Sequence, residues 1–308
     1  MAVMGRLERS WELGKTSWRV LRNDKDLAAF PVFGAIASVV VLAIFAGLIF
    51  ATGLNSGNGS GNDSMKPIGW VFVIVLYVAL AFITVYFQAA LTHGANERLQ
   101  GHDTSIRASL DAANGKLHRL LPWALVAATV SIIIRSLEDR GILGQIVAAV
   151  VGTAWALVTF LTIPIIMLED LGPGKALKRS GQLSKQTWGE NVAAQFGFSI
   201  FGFIAAIPAI IVIAAVASAN VLPLTIAVGA VGVTWLAVVS IVISAMTGIY
   251  KVALYHYAVD GTGVGPFSQA ELEAAFQPRQ QRTGGGGFGG FGGFGGGNNG
   301  GFAGPSNN

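Results

Sequence analysis

In 308 residues the chain carries 53% hydrophobic and only 12% charged side chains, where an ordinary soluble domain has about 25% charged. That balance does not suit a surface facing water on every side. Zero cysteines exclude disulfides, a thiolate nucleophile and a cysteine metal site, and the net charge of +4 takes its meaning from where the cations lie.

The first 27 residues are mixed in charge and precede an apolar run too long for a signal-peptide core, so that run is expected to remain as an anchor. Around the stretch RSWELGKTSW, Leu7, Trp11, Gly14, Trp18 and Leu21 fall at steps of four and three. Arg6, Arg9, Glu12, Lys15, Arg19 and Arg22 occupy much of the remaining helix surface. Tryptophan on one side and cations on the other predict an amphipathic helix lying in the lipid headgroup layer.

Six apolar runs follow, at 28–54, 68–91, 121–137, 142–168, 192–219 and 222–258. A hydrocarbon core of about 30 Å needs roughly 20 such residues at about 1.5 Å each; the run 121–137 is the shortest and holds Arg135. Before the third run, Ile106, Leu110, Ala113, Leu117 and Leu120 repeat the four-three spacing. Before the fifth, RSGQLSKQTW repeats the first stretch 170 residues on, with Arg179, Ser180, Leu183, Lys185 and Trp188 in register. The pattern predicts three similar units, each an interfacial helix followed by a membrane hairpin, in which Ser10 and Ser180 cap or pack rather than react. After the last run, 259–283 reads as a linker with a short helix, Ser268 and Glu271 being spaced as a capping box. The segment 284–308, with Phe288, Phe291 and Phe294 among glycines, has too little side-chain surface to order itself.

Of the 20 Lys and Arg residues, 17 fall on the N-terminal segment, the two longer loops and the C-terminal segment, and 3 on the opposite side. The positive-inside bias then puts both ends in the cytoplasm, which six crossings satisfy.

The stretches LEDLGPGKALKRSGQLSKQTWGENVAAQFG (168–197), SWELGKTSWRVLRNDKDLAAFPVF (10–33), FQAALTHGANERLQG (87–101) and LPWALVAATVSIIIRSLEDR (121–140) resemble an uncharacterised bacterial and archaeal membrane-protein family known only as a domain of unknown function. The similarity covers about residues 5–260 and implies a six-helix integral membrane domain with no assigned catalysis or ligand. More remotely, the arrangement KRS…L…W before a membrane hairpin is similar to the membrane domain attached to some glycerophosphodiester phosphodiesterases. This chain lacks their soluble catalytic domain, so their activity does not carry over.

The six runs contain no Asp or Glu, which argues against a proton- or sodium-coupled carrier. His93, His102, His118 and His256 have no metal-ligand spacing. The triplet Tyr255-His256-Tyr257 reads as an interfacial aromatic belt. Lys251, 29 positions past Leu222, reads as an anchor at the cytoplasmic interface. Arg135 is a candidate intramembrane polar contact, with snorkelling or pairing to Glu138 or Asp139 as the plainer reading. Pro164 and Pro208 predict kinks, and Gly229, Gly232, Ser244 and Gly248 predict close helix approach. The segment GPGKALKRSG lacks the residue order of a phosphate-binding loop.

The expectation is an all-α integral membrane six-helix bundle of the cell membrane, with cytoplasmic amphipathic interfacial helices and a disordered C-terminal tail. It has no enzyme activity, no cofactor, no metal and no nucleic-acid partner. Its expected partners are the bilayer, including anionic lipids held near Arg9, Trp11, Lys15, Trp18, Arg179, Lys185 and Trp188, and proteins bound through the tail. The sequence points first to a noncatalytic membrane scaffold or envelope-organising protein, and second to an uncoupled permease or lipid-handling protein for an uncharged or amphiphilic molecule.

Overall fold

A computed structural model of the chain describes residues 14–52, 67–188, 205–208, 210, 211, 222–269 and 272. Residues 14–23 form α1. There follow α2 (Asp26–Ala51), α3 (Pro67–Leu99), α4 (Ile106–Gly115), α5 (Leu117–Glu138), α6 (Gly141–Thr159), α7 (Thr162–Leu168), α8 (Pro173–Trp188) and α9 (Leu222–Asp260). The described residues are thus overwhelmingly helical, as their long apolar runs require.

Five stretches are long and apolar enough to cross a membrane: Asp26–Ala51, Ile68–Leu99, Leu117–Glu138, Gly141–Leu168 and Val228–Asp260. They coincide with the expected first, second, third, fourth and sixth runs. The expected fifth, 192–219, lies outside the described residues except for helical residues 205–208, 210 and 211. That piece touches α9, where Trp235 Nε1 donates to the Ala205 carbonyl at 3.0 Å. The tail, 284–308, also lies outside the described residues.

The helix α3 is the hub, packing against α2, α4, α5, α7 and α9. Buried side chains gather toward one end of the bundle: Leu27 and Phe30 of α2, Ala89 to Leu99 along α3, Leu120 and Trp123 of α5, Ile165 and Ile166 of α7, Leu183 of α8, and Ile249 to Leu254 of α9. Elsewhere the same helices leave large apolar side chains exposed, among them Ile36, Val40 and Phe50 on α2 and Ile142, Leu143 and Val150 on α6. An apolar surface of this extent is compatible with a membrane protein, whose solvent on that face is hydrocarbon.

The run 142–168 is not one helix. Its chain breaks at Phe160 and Leu161 between α6 and α7, four and three residues before Pro164. A proline lacks the N–H for its i−4 carbonyl, and its ring crowds that same carbonyl, here Phe160's, so the expected kink is a break. At the break α8 supplies partners to the neighbouring backbone: the buried Leu161 N–H donates to Ser180 Oγ at 3.2 Å, and Ser184 Oγ donates to the Leu157 carbonyl at 3.2 Å. Ser180 is fully buried, so the serine of the repeated stretch is a cap, though one for a neighbouring helix rather than its own. Its counterpart Ser10 lies outside the described residues.

The amphipathic segments are helical where they are described, but their faces differ from the expected ones. In α1 the buried stripe is Gly14, Ser17, Val20 and Leu21, with Thr16 beside it, and Trp18 is 47% exposed. Trp18 sits a helical step from Gly14 and Leu21 but also from Lys15 and Arg22, at the border between buried and basic faces. In α4, Ser105 caps by accepting from the Ala108 N–H at 3.5 Å. Ala113 and Leu120 are buried as expected, whereas Leu117 is 39% exposed.

The segment after α9 is less of a linker than its composition implied. Gly261 and Gly265 adopt positive φ of 69° and 56°, the chain turns back with Val264 bridged to Phe267, and Phe267 and Leu272 are buried in the core. The Leu272 N–H donates to the Ser268 carbonyl at 3.1 Å, as the expected short helix requires; Glu271 lies outside the described residues.

Replacing Ser180 by Ala leaves the Leu161 N–H buried without a partner, a cost of about 1–3 kcal/mol. Ser184→Ala costs less, about 1 kcal/mol, because the Leu157 carbonyl keeps the Phe160 N–H. Thermal unfolding in detergent measures both, and equal melting temperatures for Ser180→Ala and the parent chain would contradict the capping role.

Candidate binding cavities and their polar end

Beside the α6–α7 break, α3, α5, α6, α7 and α9 line an open cavity of about 360 Å³. Its walls are mixed: Ala81, Ala127, Ala128, Ala156, Ile163, Trp123 and Trp155 are apolar in body, and Tyr77, Thr84, Gln88, Ser131 and Thr159 add polar atoms. Among the described residues the one charged lining group is Lys251 of α9. Its Nζ lies 5.1 Å from the centre of the Phe160 ring, within the range of a cation–π contact.

This corrects the expectation of a surface anchor. Counting forward from Leu222 ignores where the side chain points. Gly248, Lys251, Val252 and Tyr255 recur at three- and four-residue steps, so they share one helical face. That face is turned inward: Val252 is fully buried and Tyr255 is 7% exposed. A Cβ on Gly248 would collide with the Leu91 side chain, which explains how closely α9 approaches α3 there and bears out the small-residue reading at this position. Gly229 has nothing within 4 Å of its Cβ direction.

A lysine at the centre of a membrane-crossing helix costs about 2.5–3.5 kcal/mol on insertion scales, and a desolvated cation–π contact returns about 2 kcal/mol. Among the described residues no carboxylate lies within ion-pair distance of Lys251 Nζ. By the helix rise, Lys251 is about 13 Å from the end of α9 at Asp260.

A second cavity, of about 300 Å³, opens on an adjoining face of α3 between α2 and α9 and is lined by Pro31, Gly34, Ser38, Leu91, Ser240 and Ser244 among others. Thr84 and Gln88 line both cavities. The two spaces are therefore neighbours across one turn of α3.

The buried end of the bundle carries a polar network. Glu169 Oε1 accepts from Tyr255 Oη at 3.2 Å and from Arg179 Nε at 3.4 Å, joining α9 and α8 to the segment after α7. His256 Nε2 lies 2.8 Å from Asn96 Oδ1, and its Nδ1 lies 3.3 Å from Asp260 Oδ2. The Tyr255-His256 pair is thus turned into the bundle rather than forming a lipid-facing belt. Asp170, at a positive φ of 56°, accepts from Lys116 Nζ at 2.6 Å and is paired with Arg119, tying the start of α5 to the α7–α8 connection.

Of the residues expected to meet lipid headgroups, Lys15, Trp18 and Lys185 are exposed. Arg179 is instead committed to Glu169. Arg9 and Trp11 lie outside the described residues, as does the side chain of Trp188. Arg135 is exposed in the last turn of α5, and no salt bridge joins it to Glu138 or Asp139. Lys251 and Gln88, which line the larger cavity, carry no such role in the sequence reading. The signals that point to them are the spacing of Gly248, Lys251, Val252 and Tyr255 and an amide within the otherwise apolar run 68–91.

The ammonium and guanidinium beside Asp170, chiefly through hydrogen bonds from Lys116 and Arg119, hold its carboxyl below the usual aspartate range. A lowered folded-state value means that its contribution is complete above the ordinary aspartate value of about 4 and is lost as the pH falls through the lowered one. Hydrogen exchange in 169–172, corrected for intrinsic rates, is expected to rise on acidification from about pH 5 to about pH 3. Asp170→Asn, which tolerates the positive φ, is expected to exchange faster at the upper end and to lose the rise; an unchanged profile would contradict the tie.

A family model described as a family of unknown function (DUF6159) matches residues 67–265, from the start of α3 to the turn after α9. No curated protein and no solved structure matches the chain, so the remoter likeness to the membrane domain of glycerophosphodiester phosphodiesterases finds no support among them.

Proposed function

Because the chain belongs to a family of unknown function (DUF6159), no activity comes with membership, and we propose that it is a noncatalytic, multi-pass protein of the cell membrane that handles an amphiphilic molecule in the space between its helices. The carrying observation is the pair of cavities flanking α3, with polar side chains and one cation set among helices apolar enough to cross a bilayer. Ligand sites commonly occupy about 300–1,000 Å³ and combine apolar walls with a few directed polar groups; both cavities meet that description.

In this reading the cationic loops face the cytoplasm together with both chain ends, and the buried polar end lies near that interface. The exposed Lys15, Trp18 and Lys185 sit where anionic headgroups would meet them, each cation contributing on the order of 1 kcal/mol. The organising-scaffold reading draws on the tail at 284–308, which lies outside the described residues; binding of protein partners there remains a separate proposal. The permease or lipid-handling reading is preferred because it gives the cavities a role.

Reconstituted vesicles test it. Protein-dependent, saturable movement of a fluorescent single-chain amphiphile is expected. The cavity-filling pair Ala128→Leu and Ala156→Leu should slow the movement by about tenfold or more, since a filled site loses its ligand contacts. Single cysteines replacing Ser60 and Gln182 report topology in cells, position 60 reacting from outside intact cells and 182 only after permeabilisation. A wild-type protein that neither binds nor moves any amphiphile would return the scaffold to first place.

A further inference from the structure

Resting on the amphiphile-handling reading, we infer that the larger cavity takes a molecule with a single anionic head, a carboxylate or phosphate, seated against Lys251 with its chain along the Trp123–Trp155 wall. Among the described residues the cavity's only charged lining group is positive, so a cationic head is repelled and a neutral one leaves the ammonium uncompensated. Phe160 covers one side of that ammonium, whereas an ammonium has three donors to place.

Further donors line the same space. Gln88 brings a side-chain amide, Ser131 a hydroxyl and Tyr77 a phenol, and among the described residues none of the three makes a side-chain hydrogen bond. The threonines differ: Thr84 and Thr159 donate to the carbonyls of Leu80 and Trp155 at 2.9 and 2.8 Å, which leaves their oxygens as acceptors. Lys251, Gln88, Ser131 and Tyr77 are therefore groups available to an anion.

Size sets the second half of the inference. A volume of about 360 Å³ corresponds to the liquid volume of about a dozen waters. That is enough for a head and part of one chain, and too little for a whole two-chain lipid. Trp123 and Trp155 are stacked with ring centres 6.1 Å apart, and together with Ala127, Ala128 and Ala156 they offer a hydrocarbon chain an apolar surface. The rest of such a chain would extend into the bilayer.

The experiment uses the full chain in nanodiscs of zwitterionic lipid and three photoactivatable probes sharing one alkyl chain: a fatty acid, its methyl ester and its trimethylammonium analogue. The fatty acid is expected to label peptides of α5, α6 or α9 in preference to the other two. Lys251→Met should cut that labelling by about tenfold or more, as loss of a charge-assisted contact implies, and Lys251→Arg should retain most of it. Gln88→Leu, which leaves the cation in place, should give a smaller loss and serves if Lys251→Met fails to fold. Equal labelling by acid and ester, unchanged in Lys251→Met, would overturn the anionic head while leaving amphiphile binding intact. Displacement of the acid by inorganic phosphate or acetate alone, at concentrations similar to that of the probe, would mark a free-anion site and overturn the role of the chain. Labelling by none of the probes would remove the amphiphile-handling reading itself.

Discussion

Inside hydrocarbon there is no water to accept a backbone N–H or to donate to a carbonyl, so each helix that crosses must satisfy its own polar groups or borrow partners from a neighbour. Most of this chain follows the first course. At 141–168 it follows the second: the helix is interrupted ahead of Pro164, and the interruption is held by two serines of α8, Ser180 on the Leu161 N–H and Ser184 on the Leu157 carbonyl. The repeated RS…W stretch, unexplained by hydropathy, acquires a physical purpose there. One helix lying against the bundle completes the hydrogen bonding of another that passes through it.

The cavity lies beside the break: Trp155, Ala156, Thr159, Phe160 and Ile163, spaced so as to share one helical face, line one space with Lys251. Small residues set the helix spacing nearby: Gly248 lets α9 press against Leu91 of α3, and Ala127, Ala128 and Ala156 of α5 and α6 leave volume beside Lys251. The partly exposed network of Glu169, Arg179 and Tyr255 ties α8 to α9, so the helix that holds the break is itself held.

Helix existence was legible in the amino-acid sequence because a run of some 20 apolar residues needs no tertiary context to be recognised. Helix ends were less so: α3 continues to Leu99 through HGANERL, since helical hydrogen bonding does not stop where hydropathy falls. The kink at Pro164 could be anticipated, but its cap comes from 19 residues further along and from another helix, a pairing no local pattern displays. Lys251 shows the difference between depth and direction. Its position along α9 was counted correctly, yet its inward orientation depends on the neighbours of Gly248 and Val252, visible only as a three-four spacing. Trp18 lies exposed at the edge of its helical face, because five residues on an idealised face said nothing of which edge of that face the core would cover.

The most direct test of this account is an experimentally determined structure of the full chain in lipid nanodiscs, read at residues 157–164 and at Lys251. The account predicts an interrupted helix, the Leu161 N–H on Ser180 Oγ, and the Lys251 ammonium over Phe160 beside an open space. A continuous helix through 141–168, with Lys251 reaching the aqueous boundary and the space closed by packed side chains, would contradict it.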